Sequence, residues 1–145
     1  MKIEVKIIHT LDDNTLLLGI NKRTTLINKI IDFIRGQDEE TIIANHNRRH
    51  YMISLGTCIT FYTAKKKVYT LTQDQKELLV SKRLYELEET LPEAFIRISN
   101  TEIINLNFVK EFQINKTGII IIYFKNGYQT SSSRRYLKKV KERLQ

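Results

Sequence analysis

The chain has one cysteine, one proline, five glycines and no long apolar run. The lone Cys58 leaves no internal disulfide and fits a reducing compartment, so a cytoplasmic protein is expected. No apolar run approaches the roughly 18 residues that a membrane span requires, and the N-terminus lacks the apolar block of a signal peptide. With so few glycines, no phosphate-cradling loop can be assembled. Three histidines are present, and only His46 and His50 are close in sequence. They flank Asn47-Arg48-Arg49, whose charges repel a cation, so no metal is expected. Glu86, Glu88 and Glu89 read as a solvated helix face, and Cys58 reads as a buried strand residue. No set of residues supplies a nucleophile, a base and an oxyanion site together. The chain is therefore expected to have no catalytic activity, no cofactor and no small-molecule substrate.

What is present is positive charge, unevenly placed. The net charge is +8. Residues 1–45 hold 6 Lys/Arg and 7 Asp/Glu, whereas residues 46–145 hold 18 and 9. All of the excess positive charge thus lies in the last hundred residues, and a basic domain attracts polyanions.

Hydrophobic patterning predicts a mainly β chain of the α+β class. Residues 3–7 (Ile-Glu-Val-Lys-Ile) alternate as a half-buried strand does. A helix is predicted over residues 22–35, with Leu26, Ile27, Ile30, Ile31 and Ile34 on one face and Gly36 as its stop. Residues 41–44 could form a further short strand, completing a small α/β extension over residues 1–45. From residue 50 onward, β-branched and aromatic runs predict strands at 51–55, 59–63, 68–72, 77–80, 94–98 and 108–114. Residues 119–124 are unbroken apolar, which predicts burial on both faces. Asn126-Gly127 closes a hairpin onto residues 128–132. A helix capped by Ser81 carries Leu84, Leu87 and Leu91 and ends at Pro92. A last helix, capped by Ser133, turns Tyr136, Leu137, Val140 and Leu144 inward.

Two segments carry a family resemblance. Phe95-Ile96-Arg97-Ile98-Ser99-Asn100-Thr101-Glu102-Ile103-Ile104-Asn105 presents an aromatic, an arginine, a polar triplet and an aliphatic pair before asparagine. Further on, Asn126-Gly127 leads through a strand to Ser133-Arg134-Arg135-Tyr136. In this order and spacing they resemble the LytTR family of bacterial DNA-binding domains, which are mainly β and occur in many response regulators. The resemblance covers residues 46–145. It implies a stand-alone regulator of transcription with no receiver domain, preceded by the small α/β extension. The polar triplet, commonly His-Arg/Lys-Ser in the family, is Ser99-Asn100-Thr101 here, a difference that bears on base preference.

The residues themselves support duplex recognition. Arginine can grip guanine bidentately, asparagine can read adenine in the same way, and lysines neutralise phosphates. The resemblance implies that loops, not one recognition helix, enter successive grooves. On that basis Asn100, Arg134 and one of Lys65, Lys66 and Lys67 are expected at base edges. Arg97, Ser99 and Arg135 are expected on the backbone, with Ser133 opening the Arg134 segment and Lys138 facing phosphates. Asn105 is expected to cap backbone groups. The resemblance further implies pairwise binding to repeated promoter sites as a homodimer. It also implies control by a membrane protein, with the helix at residues 22–35 as the contact. Two other classes share the positive charge. An RNA-binding module would need exposed aromatic platforms from Tyr51, Phe61, Tyr62, Tyr69 or Tyr123. A basic protein–protein adaptor would need neither bases nor phosphates.

Overall fold

A computed structural model describes residues 1–13, 15–37 and 40–144. The chain divides into two units, residues 1–38 and residues 39–145.

The first unit contains one helix, α1 (Thr25–Gln37). It starts three residues later than the apolar spacing predicts, because the Thr24 hydroxyl accepts the Ile27 N–H at 3.2 Å and caps it there. Gly36 lies inside the helix and does not stop it. The predicted strand at residues 3–7 does not form: no described residue before α1 belongs to a ladder. The segment has the alternation of a strand but lacks a neighbour to bond. Ile3, Val5 and Ile7 are 80%, 88% and 82% exposed.

The second unit is built almost entirely from antiparallel strands. β1 (Thr41–His46), β2 (Arg49–Ser54), β3 (Cys58–Ala64), β4 (Lys67–Thr72), β5 (Glu77–Val80), β6 (Phe95–Ser99) and β7 (Glu102–Asn105) form one sheet, in the order β2-β1-β5-β4-β3-β7-β6. β8 (Val109–Ile114), β9 (Ile120–Phe124) and β10 (Gln129–Ser131) form a second, in the order β10-β9-β8. Two short helices complete the unit, α2 (Leu84–Thr90) and α3 (Leu137–Leu144). The strand at residues 41–46 pairs with β2 and β5, so it belongs to this sheet and not with the first unit.

The large sheet has a core on each side. Phe61, Val68, Val80 and Ile103 pack with Leu84 and Leu87 of α2. Ile59, Ile96, Ile98 and Ile104 pack with Ile120, Ile122 and Phe124 of β9 and with Val140 of α3. β9 is buried only at alternate residues, with Ile121 and Tyr123 half-exposed. The apolar run therefore overstates its burial. A three-stranded sheet covers the large one with a single face. Cys58 is fully buried in β3, and burial pushes its thiol up from the usual range, as an inert core residue requires. Neither Ser81 nor Ser133 caps a helix with its side chain. α2 starts at Leu84 behind Arg83 at the N-cap, whose N–H is accepted by Glu86, and Ser133 precedes a 3₁₀ turn over Arg134–Tyr136.

The two sheets are joined through one buried carboxylate. Glu102 on β7 accepts the Thr60 hydroxyl at 2.7 Å and the Tyr128 hydroxyl at 3.0 Å. It also accepts the hydroxyl of Thr130 on β10. Burial, followed by the Glu102 charge, raises the Tyr128 phenol above its usual range, so it stays protonated and donating.

Candidate nucleic-acid interface

Antiparallel register puts two turns at the same end of the large sheet. Tyr62 of β3 lies opposite Glu102 of β7, so the end of β3 is adjacent to the start of β7. The first turn is Lys65-Lys66, closed by the Ala64–Lys67 pair. The second is Asn100-Thr101 between β6 and β7. A backbone bond ties them together, from the Thr63 N–H to the Thr101 carbonyl at 2.9 Å. All three lysines are exposed. Both Lys65 and Lys66 have positive φ, 50° and 63°, the paired left-handed residues of a tight hairpin turn.

The Arg134 segment is fastened to the second turn. The Ser133 N–H donates to the Ile98 carbonyl at 2.9 Å, which fixes the chain beside the end of β6. The Asn100 side-chain oxygen then accepts from Arg135 Nη1 and from the Tyr136 hydroxyl, both at 3.4 Å. Tyr136 also lies beneath two guanidinium groups. Arg97 and Arg135 sit 5.9 and 5.8 Å from its ring centroid. Asn100 and Arg135 remain exposed. Arg134 is exposed, and its side chain makes no hydrogen bond or ion pair among the described residues.

Arg97 behaves differently from its cationic neighbours. Its Nε donates to the Ser99 carbonyl at 3.1 Å and its Nη2 to the Asn100 carbonyl at 2.9 Å. Its Nη1 meets Glu88 at 2.8 Å. The guanidinium is thus committed to shaping the turn. The Ser99 hydroxyl also serves the turn, accepting the Thr101 N–H at 3.2 Å. Glu88 is not merely a solvated acid, because it holds Arg97 and lies 3.6 Å from Lys139. The Arg97 hydrogen bond lowers the Glu88 carboxyl below its usual range. A lowered folded-state value means that this contribution is present at neutral pH and is lost on acidification through that range. Arg97→Lys keeps the charge but cannot make all three contacts at once. Its expected effect is a loss of about 1–2 kcal/mol in urea unfolding.

Spacing alone does not disclose the role of Glu88, since it meets Arg97 only through the packing of α2 on the sheet. The other polar expectations can be placed directly. Asn105 is buried, accepts the Asn107 N–H at 3.0 Å and donates to the Cys58 carbonyl at 3.0 Å. His46 and His50 flank a two-residue turn, pairing with Arg49 and Asn45 respectively. Adjacent positions on one strand point to opposite faces, so the two imidazoles diverge. Among the described residues no group of three His, Cys, Asp or Glu could hold a metal.

The arrangement is an exposed row of cations and amides on turns that are braced from beneath. The sequence model of the LytTr DNA-binding domain matches residues 48–145. The chain belongs to that family. An HTH-type transcriptional regulator from Staphylococcus aureus strain NCTC 8325 is 39% identical over 119 residues, covering 81% of this chain and 80% of its own. A counterpart from strain MRSA252 is 38% identical over the same coverage. The solved LytTr DNA-binding domain of a Bacillus cereus protein, described as a methyl-accepting/DNA response regulator, shares the fold. It superposes with a TM-score of 0.69 at 19% identity, over 73% of this chain and 97% of its own. LytTr membership makes this a DNA-binding, transcription-regulating chain, mostly antiparallel β as the sequence predicts. Among its described residues no two α-helices are joined by a short turn. No helix among those residues is long and apolar enough to cross a membrane.

Proposed function

We propose that the chain recognises a specific duplex sequence through three loops: Lys65–Lys67, Ser99-Asn100-Thr101 and Ser133-Arg134-Arg135. The observation that carries this reading is the unpartnered, exposed guanidinium of Arg134, on a segment fastened at Ser133 and Asn100. A guanidinium uncommitted within its own chain and carried on an anchored backbone can take up the bidentate geometry that reads guanine. Arg134 and Asn100 read bases, together with one lysine of the 65–67 turn. Arg135, Lys138 and the remaining lysines hold phosphates, while Arg97 and Ser99 shape the turn and touch the backbone.

One such domain offers only a handful of base contacts, so two copies bind repeated half-sites upstream of promoters. The protein works in the cytoplasm and catalyses nothing. Residues 25–37 are the contact for a regulatory membrane protein. Leu26→Glu, on an exposed part of that helix, abolishes the contact and leaves DNA affinity unchanged.

Of the aromatic platforms the RNA-binding alternative needs, only Tyr51 is exposed, so no row of stacking rings is presented. Phe61 is fully buried, and Tyr62 and Tyr69 stack on each other at 5.9 Å with the Tyr62 hydroxyl bonded to Glu77. Selection of bound duplexes from a random pool at about 150 mM salt tests the proposal. A paired motif should emerge, preferred over scrambled DNA by about 4–10 kcal/mol. Absence of enrichment, with binding abolished by added salt, would favour the adaptor reading.

A further inference from the structure

The described residues of 1–38 form no core. Not one of their described residues is buried, although the apolar alternation of residues 3–7 is that of a half-buried strand. Nine large hydrophobic residues between Met1 and Ile20 are 41–88% exposed. A fully buried aliphatic side chain removes roughly 60–120 Å² from water. These nine therefore offer on the order of 500 Å² per copy, before any backbone ladder is counted. A stable interface takes about 800 Å² from each partner. Exposed apolar surface on this scale marks an association site.

The sequence of the segment identifies its partner. Laid antiparallel against itself with Val5 opposite Val5, it puts Ile3 opposite Ile7 and Glu4 opposite Lys6, each pair occurring twice about the two-fold axis. Slipping by one residue sets charged side chains against apolar ones. Slipping by two sets Glu4 against Glu4 or Lys6 against Lys6, and parallel in-register pairing does the same. Only the Val5-centred register matches both apolar and charged neighbours, and a self-complementary patch is what a two-fold interface needs.

We propose that residues 3–7 form the dimerisation strand of this protein, pairing antiparallel with the same residues of a second copy about an axis through Val5. Leu16, Leu18 and Ile20, which alternate and are 68%, 42% and 41% exposed, widen the apolar face of the joined ribbon. A two-stranded ribbon alone is marginal in water, which makes this second segment necessary. The inference rests on the paired binding proposed above and supplies its physical basis. The strand predicted at residues 3–7 is unpaired in one chain because its neighbour lies in another.

Sedimentation of the full chain without DNA, at tens of micromolar, tests this. The wild type is expected to be a dimer. Glu4→Lys or Lys6→Glu alone sets like charges opposite each other twice, and each should weaken dimerisation roughly tenfold or more. The double variant restores both pairs with their signs exchanged and should dimerise like the wild type. Both positions are exposed, so folding is not at risk. Val5→Cys provides a second readout. Oxidation should yield a symmetric disulfide-linked dimer, with the buried Cys58 not competing. A monomeric wild type, single variants that remain dimeric, or a double variant that stays monomeric would each overturn the proposal. A DNA-free dimer that selects no duplex motif would instead sustain the strand pairing and overturn the proposed DNA recognition.

Discussion

Arg134→Ala weakens binding to the preferred duplex by about 1–3 kcal/mol and flattens discrimination at a single base pair. The expectation follows from the commitments of each cation. Arg97 is held by Glu88 and two carbonyls, and Arg135 leans on Asn100 and Tyr136. Arg134 has no such partner and is free to meet a ligand. Lys138→Ala is the control, because it too is exposed but lies on α3, on the side expected to face phosphates. That variant should lower affinity for all duplexes alike and make the salt dependence shallower by about one unit of slope. The two are separated by measuring affinity for the selected and scrambled duplexes across a salt series. If both variants weaken random DNA equally and leave the preference intact, Arg134 is a phosphate contact.

Glu102→Ala is expected to destabilise the second unit by about 3–4 kcal/mol, as much as emptying a core position. Three hydroxyls, from Thr60, Tyr128 and Thr130, would lose a charged acceptor in a buried place. Against a total stability of about 5–15 kcal/mol this is a large fraction. Glu102→Gln keeps the volume and one acceptor oxygen, so its cost should be about a third of that. Urea midpoints at constant slope report the difference. A loss under about 1 kcal/mol for the alanine variant would show that water re-satisfies the hydroxyls and that apolar packing alone joins the sheets.

Elements whose cause is local were legible. The strands at 59–63, 68–72 and 77–80 fall within a residue or two of their expected limits, because runs of β-branched and aromatic residues bounded by polar breaks fit a packed sheet. Cys58 was readable as a buried strand residue from the apolar run it opens, and Asn105 as a backbone cap through the family resemblance. β7 was not predicted, since Glu102 opens it and glutamate is depleted in strands. The three hydroxyls that make this glutamate acceptable are 26 to 42 residues away in sequence. Glu88 escaped likewise, as its partner Arg97 is reached only by folding. The segment at residues 3–7 failed in the opposite direction. Its alternation is genuine, but alternation specifies a face and not a neighbour. The loop residues were recognisable mainly through their order along the chain, and their mutual bracing needed the fold.

The turn at Lys65-Lys66 carries a further consequence. Left-handed backbone at a residue with a side chain costs on the order of 1 kcal/mol, and Asn-Gly would relieve it. Here two lysines occupy those positions, at φ 50° and 63°. A lineage selected only for heat resistance would drift toward Asn-Gly at this turn and lose two positive charges from the loop. Thermal robustness and affinity for a polyanion therefore compete for the same two residues, and evolving one without sacrificing the other requires compensation elsewhere in the sheet.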